Sequence, residues 1–281
     1  MHSRLIINIT LLITVIGLAL FLVFTNKQKA TNRDAPLTAV NPASINTILI
    51  DRKKSGAIRF NKVNGKWQMQ SPYQLPANEF RINTMLKILH AYSYTQFNVA
   101  DVDLKRFLLD TPDLAIQFND TRIAFGDTSP ISKQRYVMVN DKVHLINDSL
   151  YEQLQAPATF FLDTRLLPEN AKIASIEFPD YTISMKTGVW SVSPRADVSA
   201  DRLVATVNAW QKLDAISISK FEGGDNKKSI HIDAGPAGKF DFVIVTPQPK
   251  LVLARPDIGI QYYISGYDTK QLFLPPEKTQ D

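Results

Sequence analysis

The chain reads as an α+β protein: two tandem related units, each a mainly antiparallel β-sheet with a packed helix, behind one N-terminal transmembrane helix. Three observations predict this. Short runs with alternating apolar residues dominate positions 44–281, the period of half-buried strands. One stretch of helical period interrupts them in each half, and the order of these features occurs twice.

The N-terminal element comes first. Leu5 to Phe24 is twenty residues without a charge. At ~1.5 Å rise per residue such a helix spans roughly 30 Å, a bilayer's hydrocarbon core. A cleaved signal would end in small residues, whereas the chain continues Thr25-Asn26-Lys27-Gln28-Lys29-Ala30 with no Ala-x-Ala pattern. A buried core helix is rarely apolar on every face. Residues 1–26 therefore read as an uncleaved single-pass anchor and 27–43 as a polar linker. Arg4 lies on one side, and Lys27, Lys29 and Arg33 lie on the other, a count that slightly opposes a cytoplasmic N-terminus. A span this near the start nonetheless favours a signal anchor in a bacterial inner membrane, with the soluble part in the periplasm.

The first unit, 44–160, opens with strands at Ile45–Ile50, Ile58–Lys62 and Gly65–Met69. The second, 161–281, opens with Ile173–Phe178, Thr182–Lys186 and Gly188–Val192. Gly65 precedes Trp67 as Gly188 precedes Trp190, so each third strand follows a tight turn; these four residues define the repeat. Ser71-Pro72 and Ser193-Pro194 close those strands. Helices follow: Ile82, Met85, Leu86 and Leu89 share one face, and Leu203, Val207, Trp210 and Leu213 share another after the N-cap candidate Ser199. Four further strands complete each unit, at 115–118, 122–125, 136–139 and 143–146, then at 229–232, 240–245, 251–254 and 261–264. Offsets between equivalent positions fall from 128 (Ile45 to Ile173) to 118 (Leu154 to Leu272), as loop-length changes within a duplication would produce. The stretch 156–170 joins the units.

Composition narrows the function. There are 32 basic and 27 acidic residues, but the excess flanks the apolar segment or is spread thinly. The only short basic clusters, Arg52-Lys53-Lys54 and Lys227-Lys228, fall at expected turns, so a nucleic-acid partner is not expected. With no cysteine, disulfides, thiolate metal sites and cysteine nucleophiles are excluded. No Gly-x-Ser-x-Gly elbow, phosphate loop, dinucleotide fingerprint or His-Glu-x-x-His helix occurs.

The four histidines, His2, His90, His144 and His231, sit singly, and nothing in their spacing suggests a metal site. His144 matches Tyr262 in the repeat, which favours a packing position. Asp101 and Asp103 suit the start of a short helix at Leu104–Leu109, and Asp110 before Thr111-Pro112 reads as its stop. A tryptophan one strand residue past a turn covers the edge of its own core more often than it stacks a ligand. We assign no catalytic, cofactor-binding or metal-ligating residue.

The succession Lys62…Gly65-Lys66-Trp67, Pro72…Pro76-Ala77-Asn78, Leu108-Leu109-Asp110-Thr111-Pro112, Ile116-Gln117-Phe118, Ile123-Ala124-Phe125-Gly126, Arg135-Tyr136-Val137 and Val143-His144-Leu145-Ile146 resembles bacterial domain-of-unknown-function family 4340. The resemblance covers the first unit well and the second in part, since no Leu-Asp-x-Pro equivalent precedes Ser229. It implies a membrane-anchored envelope protein associated with an uncharacterised ABC transport system of the gliding-motility type, with transporter subunits as partners. It implies no catalytic residue. The expected function is thus a non-enzymatic accessory protein. The alternative is a module binding lipid, glycan or peptide in a groove between the two lobes, with Tyr262, Tyr263 and Tyr267 as candidate lining residues. A hydrolase acting through paired carboxylates is a third reading.

Overall fold

The computed structural model describes residues 14–15, 36–194, 197–224, 228–266 and 269–274. The expected anchor, Leu5 to Phe24, lies outside them apart from Thr14 and Val15. Among the described residues no helix is long and apolar enough to cross a membrane.

The elements run β1 (Thr47–Arg52), β2 (Ile58–Val63), β3 (Lys66–Ser71), β4 (Leu75–Pro76), α1 (Glu79–Leu86), β5 (Thr95–Asn98), β6 (Leu114–Phe118), β7 (Thr121–Thr128), β8 (Arg135–Val139), β9 (Lys142–Ile146) and α2 (Tyr151–Gln155). They continue β10 (Ser175–Glu177), β11 (Thr182–Lys186), β12 (Val189–Ser193), α3 (Ala200–Gln211), β13 (Ser217–Lys220), β14 (Ser229–Asp233), β15 (Lys239–Thr246), β16 (Val252–Arg255), β17 (Ile260–Tyr263) and α4 (Thr269–Leu272). The protein is therefore α+β, mainly antiparallel strands in two sheets with a few helices. By contacts it groups into two units, one of Met1–Lys62 with Asn83–Gln155 and one of Val63–Ile82 with Ala156–Asp281.

In the first unit the strand order is β2-β1-β6-β7-β8-β9-β5, with every neighbour antiparallel. Alternation sends Ile48, Ile50, Ile58 and Phe60 into one buried layer with Ile116, Phe118 and Ile123. β6 and β9 are buried along nearly their whole length. The reason is a smaller cluster of Leu109, Ala115, Ala124 and Val143, packed with Val99, Val102, Leu104 and Phe107. Those last residues come from two 3-10 turns, at Val99–Asp101 with its C-cap Val102 and at Leu104–Phe107. The short helix expected at 104–109 is thus a single tight turn. Its N-cap is Asp103, which accepts from the Lys105 N–H, and it stops where Leu108 takes left-handed φ. The first helix is also shorter than its apolar spacing suggests, because Lys87–His90 tighten to a 3-10 turn after α1.

In the second unit the order is β12-β11-β10-β14-β15-β16-β17-β13, again antiparallel throughout. From β11 onward it corresponds strand for strand to the order in the first unit. Ser199 caps α3 by accepting from the Arg202 N–H, and the helix buries Leu203, Val207 and Trp210. The Trp210 indole donates to the Leu272 carbonyl at 2.8 Å, which ties α3 to α4.

β3 and β4 count with this second unit, where they pair at Gln68–Pro76 and Met69–Leu75. The stretch 156–170 is no slack linker there. Ala77 bridges Leu162, Asn78 N–H donates to the Phe161 carbonyl, and Asp163 N–H donates to the Pro76 carbonyl. Phe161, Leu162, Leu166 and Leu167 are buried. Arg165 binds the Asp163 carboxylate at 2.6 Å and also reaches Glu169, which pairs with Lys66 at 2.8 Å. These partners push the Arg165 pKa up and hold the Glu169 carboxyl low, although the network is largely solvated.

Candidate functional site

The repeat-defining residues have definite places. Gly65 and Gly188 have φ of +79° and +82°, after Asn64 and Thr187 at +49° and +48°. Both hairpins therefore need left-handed backbone at two successive residues. Their tryptophans differ. Trp67 is 2% exposed, and its backbone N–H donates to the Glu79 carboxylate. Trp190 is half-buried on β12, which ends the sheet.

The basic cluster at 52–54 is locally compensated. Arg52 is buried and donates to the Gly56 and Ser55 carbonyls, while Lys53 and Lys54 face Asp113 at 3.8 and 3.4 Å. The two described candidate tyrosines differ in exposure. Alternation on β17 puts Tyr262 in the core, where burial pushes its hydroxyl up to about 12. Tyr263 is half-buried and its hydroxyl accepts from the Gln261 amide, and Tyr267 lies outside the described residues.

One pairing had no sequence signal. The Ser93 hydroxyl and His144 Nδ1 share a hydrogen bond of 2.9 Å, within nucleophile–base distance. Both side chains are buried, and among the described residues no carboxylate bonds to His144. Burial, helped by the Lys142 charge, lowers the His144 pKa from 6.5 to about 4, so the ring is neutral near pH 7. The bond ties the segment just before β5 to β9. His231 pairs with Asp241 across β14 and β15 at 2.7 Å on the surface, and His90 bonds the Val40 carbonyl. Among the described residues no three His, Asp or Glu side chains could hold a metal ion.

The site that geometry does build is a cleft of about 370 Å³ inside the first unit. It lies beside the 3-10 turn after α1, the ends of β8 and β9, and α2. Ile88, Phe125, Ile146 and Leu150 give it a buried apolar floor. Tyr92 and Tyr94 form one rim, 44% and 45% exposed, with their rings edge to face at 4.7 Å. Backbone pairing sets them there. Pro36 bridges Tyr92, Leu37 N–H donates to the Ala91 carbonyl, and Tyr94 N–H donates to the Leu145 carbonyl.

The opposite wall is held by Arg135, only 9% exposed. Its two terminal nitrogens bind the Asp148 carboxylate at 2.7 Å and the Gly126 carbonyl at 2.6 Å. Its guanidinium also stacks 3.6 Å from the Tyr151 ring. Strand and loop are thereby fastened, and the cleft has a preformed shape. A second cleft, about 550 Å³, occupies the corresponding place in the second unit, between α3 and α4. Ala205, Ala209, Asn208 and Lys212 line it, without an aromatic ring.

Residues 67–233 match the family described as Domain of unknown function (DUF4340), and the chain belongs to that family. No curated protein and no solved structure matches it.

Proposed function

We propose that the chain is a non-enzymatic accessory protein of the bacterial cell envelope that works by binding a partner protein. The observation that carries this is the cleft. An apolar floor, an aromatic rim and a wall clamped by an ion pair suit recognition. The uncharged run Leu5 to Phe24 supports single-pass anchoring in the inner membrane, with residues 44–281 in the periplasm. The matching strand orders support a tandem pair of related units. The resemblance noted in the sequence implies an ABC transport system, whose subunits would be the partners. A second reading, a module for a lipid or glycan, draws on the same cleft.

The test uses the full chain, tagged at its C-terminus and expressed at its native level. Recovery from detergent-solubilised membranes with transporter subunits in fixed stoichiometry is the expected result. A monodisperse protein recovered alone, or in the soluble fraction, would overturn the proposal.

A further inference from the structure

We infer that the cleft beside Tyr92 and Tyr94 seats one apolar side chain, of leucine or phenylalanine size, from an extended peptide segment of a partner, with an acidic residue of that segment against Lys87. The inference rests on the partner-binding reading and adds the chemistry of the segment. Three observations select a peptide. The floor of Ile88, Phe125, Ile146 and Leu150 offers no hydrogen bond from its side chains, so a sugar's hydroxyls would leave water there without partners. The lining also carries Asn147 and Gln153, whose amides can both donate and accept as a peptide backbone requires, although Gln153 Nε2 already donates to the Ser149 carbonyl. An acyl chain has nothing to give them.

Charge supplies the third observation. Arg135 is neutralised by Asp148, whereas the Lys87 ammonium is exposed at the cleft and has no ion pair among the described residues. The lining therefore keeps one positive charge, complementary to a carboxylate on the occupant. The volume, about 370 Å³, is at the small end for ligand sites, with room for one anchoring side chain and part of the segment that carries it. Tyrosines that are half-exposed yet fixed by backbone pairing are the residue type that dominates such anchors. The corresponding cleft of the second unit, without aromatic lining, serves as an internal contrast.

The experiment is an array of heptapeptides with each amino acid in turn at the centre, flanked by Asp, Gly or Lys, probed with the full chain in lipid nanodiscs. Fluorescence anisotropy then measures the strongest sequences. Expected is a preference for Phe or Leu over Ala at the centre of about tenfold in Kd, and for Asp over Lys beside it. Lys87→Glu should invert the flank preference, and Tyr92→Ala with Tyr94→Ala should weaken binding about tenfold. Both sites are exposed enough for these variants to fold, which unchanged tryptophan emission verifies. No dependence on the central residue, a flank preference unmoved by Lys87→Glu, or occupancy by decanoate or N-acetylglucosamine in place of peptide would each overturn the inference. Co-purification of transporter subunits that survives all these variants sinks this inference and leaves the accessory reading standing. Peptide binding without any co-purifying subunit supports this inference and sinks that reading.

Discussion

Arg135 and Asp148 form an ion pair at 2.7 Å, and both side chains are largely withdrawn from water. The pair joins β8 to the loop before α2 across thirteen residues. With the Gly126 carbonyl and the Tyr151 ring, it makes Arg135 the piece on which one wall of the cleft rests.

Arg135→Ala should lower stability by about 3 kcal/mol, because it strands a partly buried carboxylate and removes the stacking on Tyr151. Asp148→Asn keeps a hydrogen-bond acceptor and should cost less. Urea unfolding of the two variants beside the parent checks the order. Equal losses would mean that the charge at position 148 contributes nothing specific.

Gly126 is a second pressure point. A Cβ there would sit 2.8 Å from the Leu109 Cγ and still closer to the Phe107 carbonyl, so backbone would have to move. Gly126→Ala should therefore destabilise by about 1–3 kcal/mol through overpacking. Gly224→Ala, at a glycine with nothing within 4 Å, should stay within about 0.5 kcal/mol. Thermal melts of both decide the matter.

His144 should confer a pH dependence. Its folded pKa of about 4 lies below the usual 6.5, so between these values the unfolded chain binds the proton more readily. The contribution is full above pH 6.5 and is lost as pH falls toward about 4, by up to roughly 3 kcal/mol. Unfolding free energies over that range should fall less steeply for His144→Gln than for the parent. A parallel pair of curves would refute the assignment.

The two repeat tryptophans should differ optically. Acrylamide should quench Trp190, half-buried on an end strand, and spare Trp67 and Trp210. Trp190→Phe should then abolish most of the quenchable emission, while Trp67→Phe should not.

Most strands were legible in the sequence because alternation is a local property. The runs read at 115–118, 122–125, 136–139 and 143–146 lie within β6 to β9, and their counterparts match β14 to β17 to within a residue. β4, β5 and β13 escaped because each is short and mixed in polarity, as in Thr95–Asn98, and is recruited by a neighbour. The cleft was hidden for a related reason. Tyr92 and Tyr94 stand in a segment with no period, and their exposure depends on pairing with Pro36 and Leu145. The motifs Leu108-Leu109-Asp110-Thr111-Pro112 and Ile123-Ala124-Phe125-Gly126 could be read as separate marks, but not as two surfaces in contact at Leu109 and Gly126.

By itself the sequence determined most strand positions, the two glycine turns, the helix after each third strand and the uncharged N-terminal run, since each is written in residues a few positions apart. Only the tertiary structure decided that residues 63–82 pack with 156–281, that Ser93 meets His144, and that Arg135 closes a wall through Gly126 and Asp148. Those arrangements join groups from nine to more than a hundred residues apart. Burial and hydrogen-bond satisfaction select them over the whole chain, and no local period records that choice.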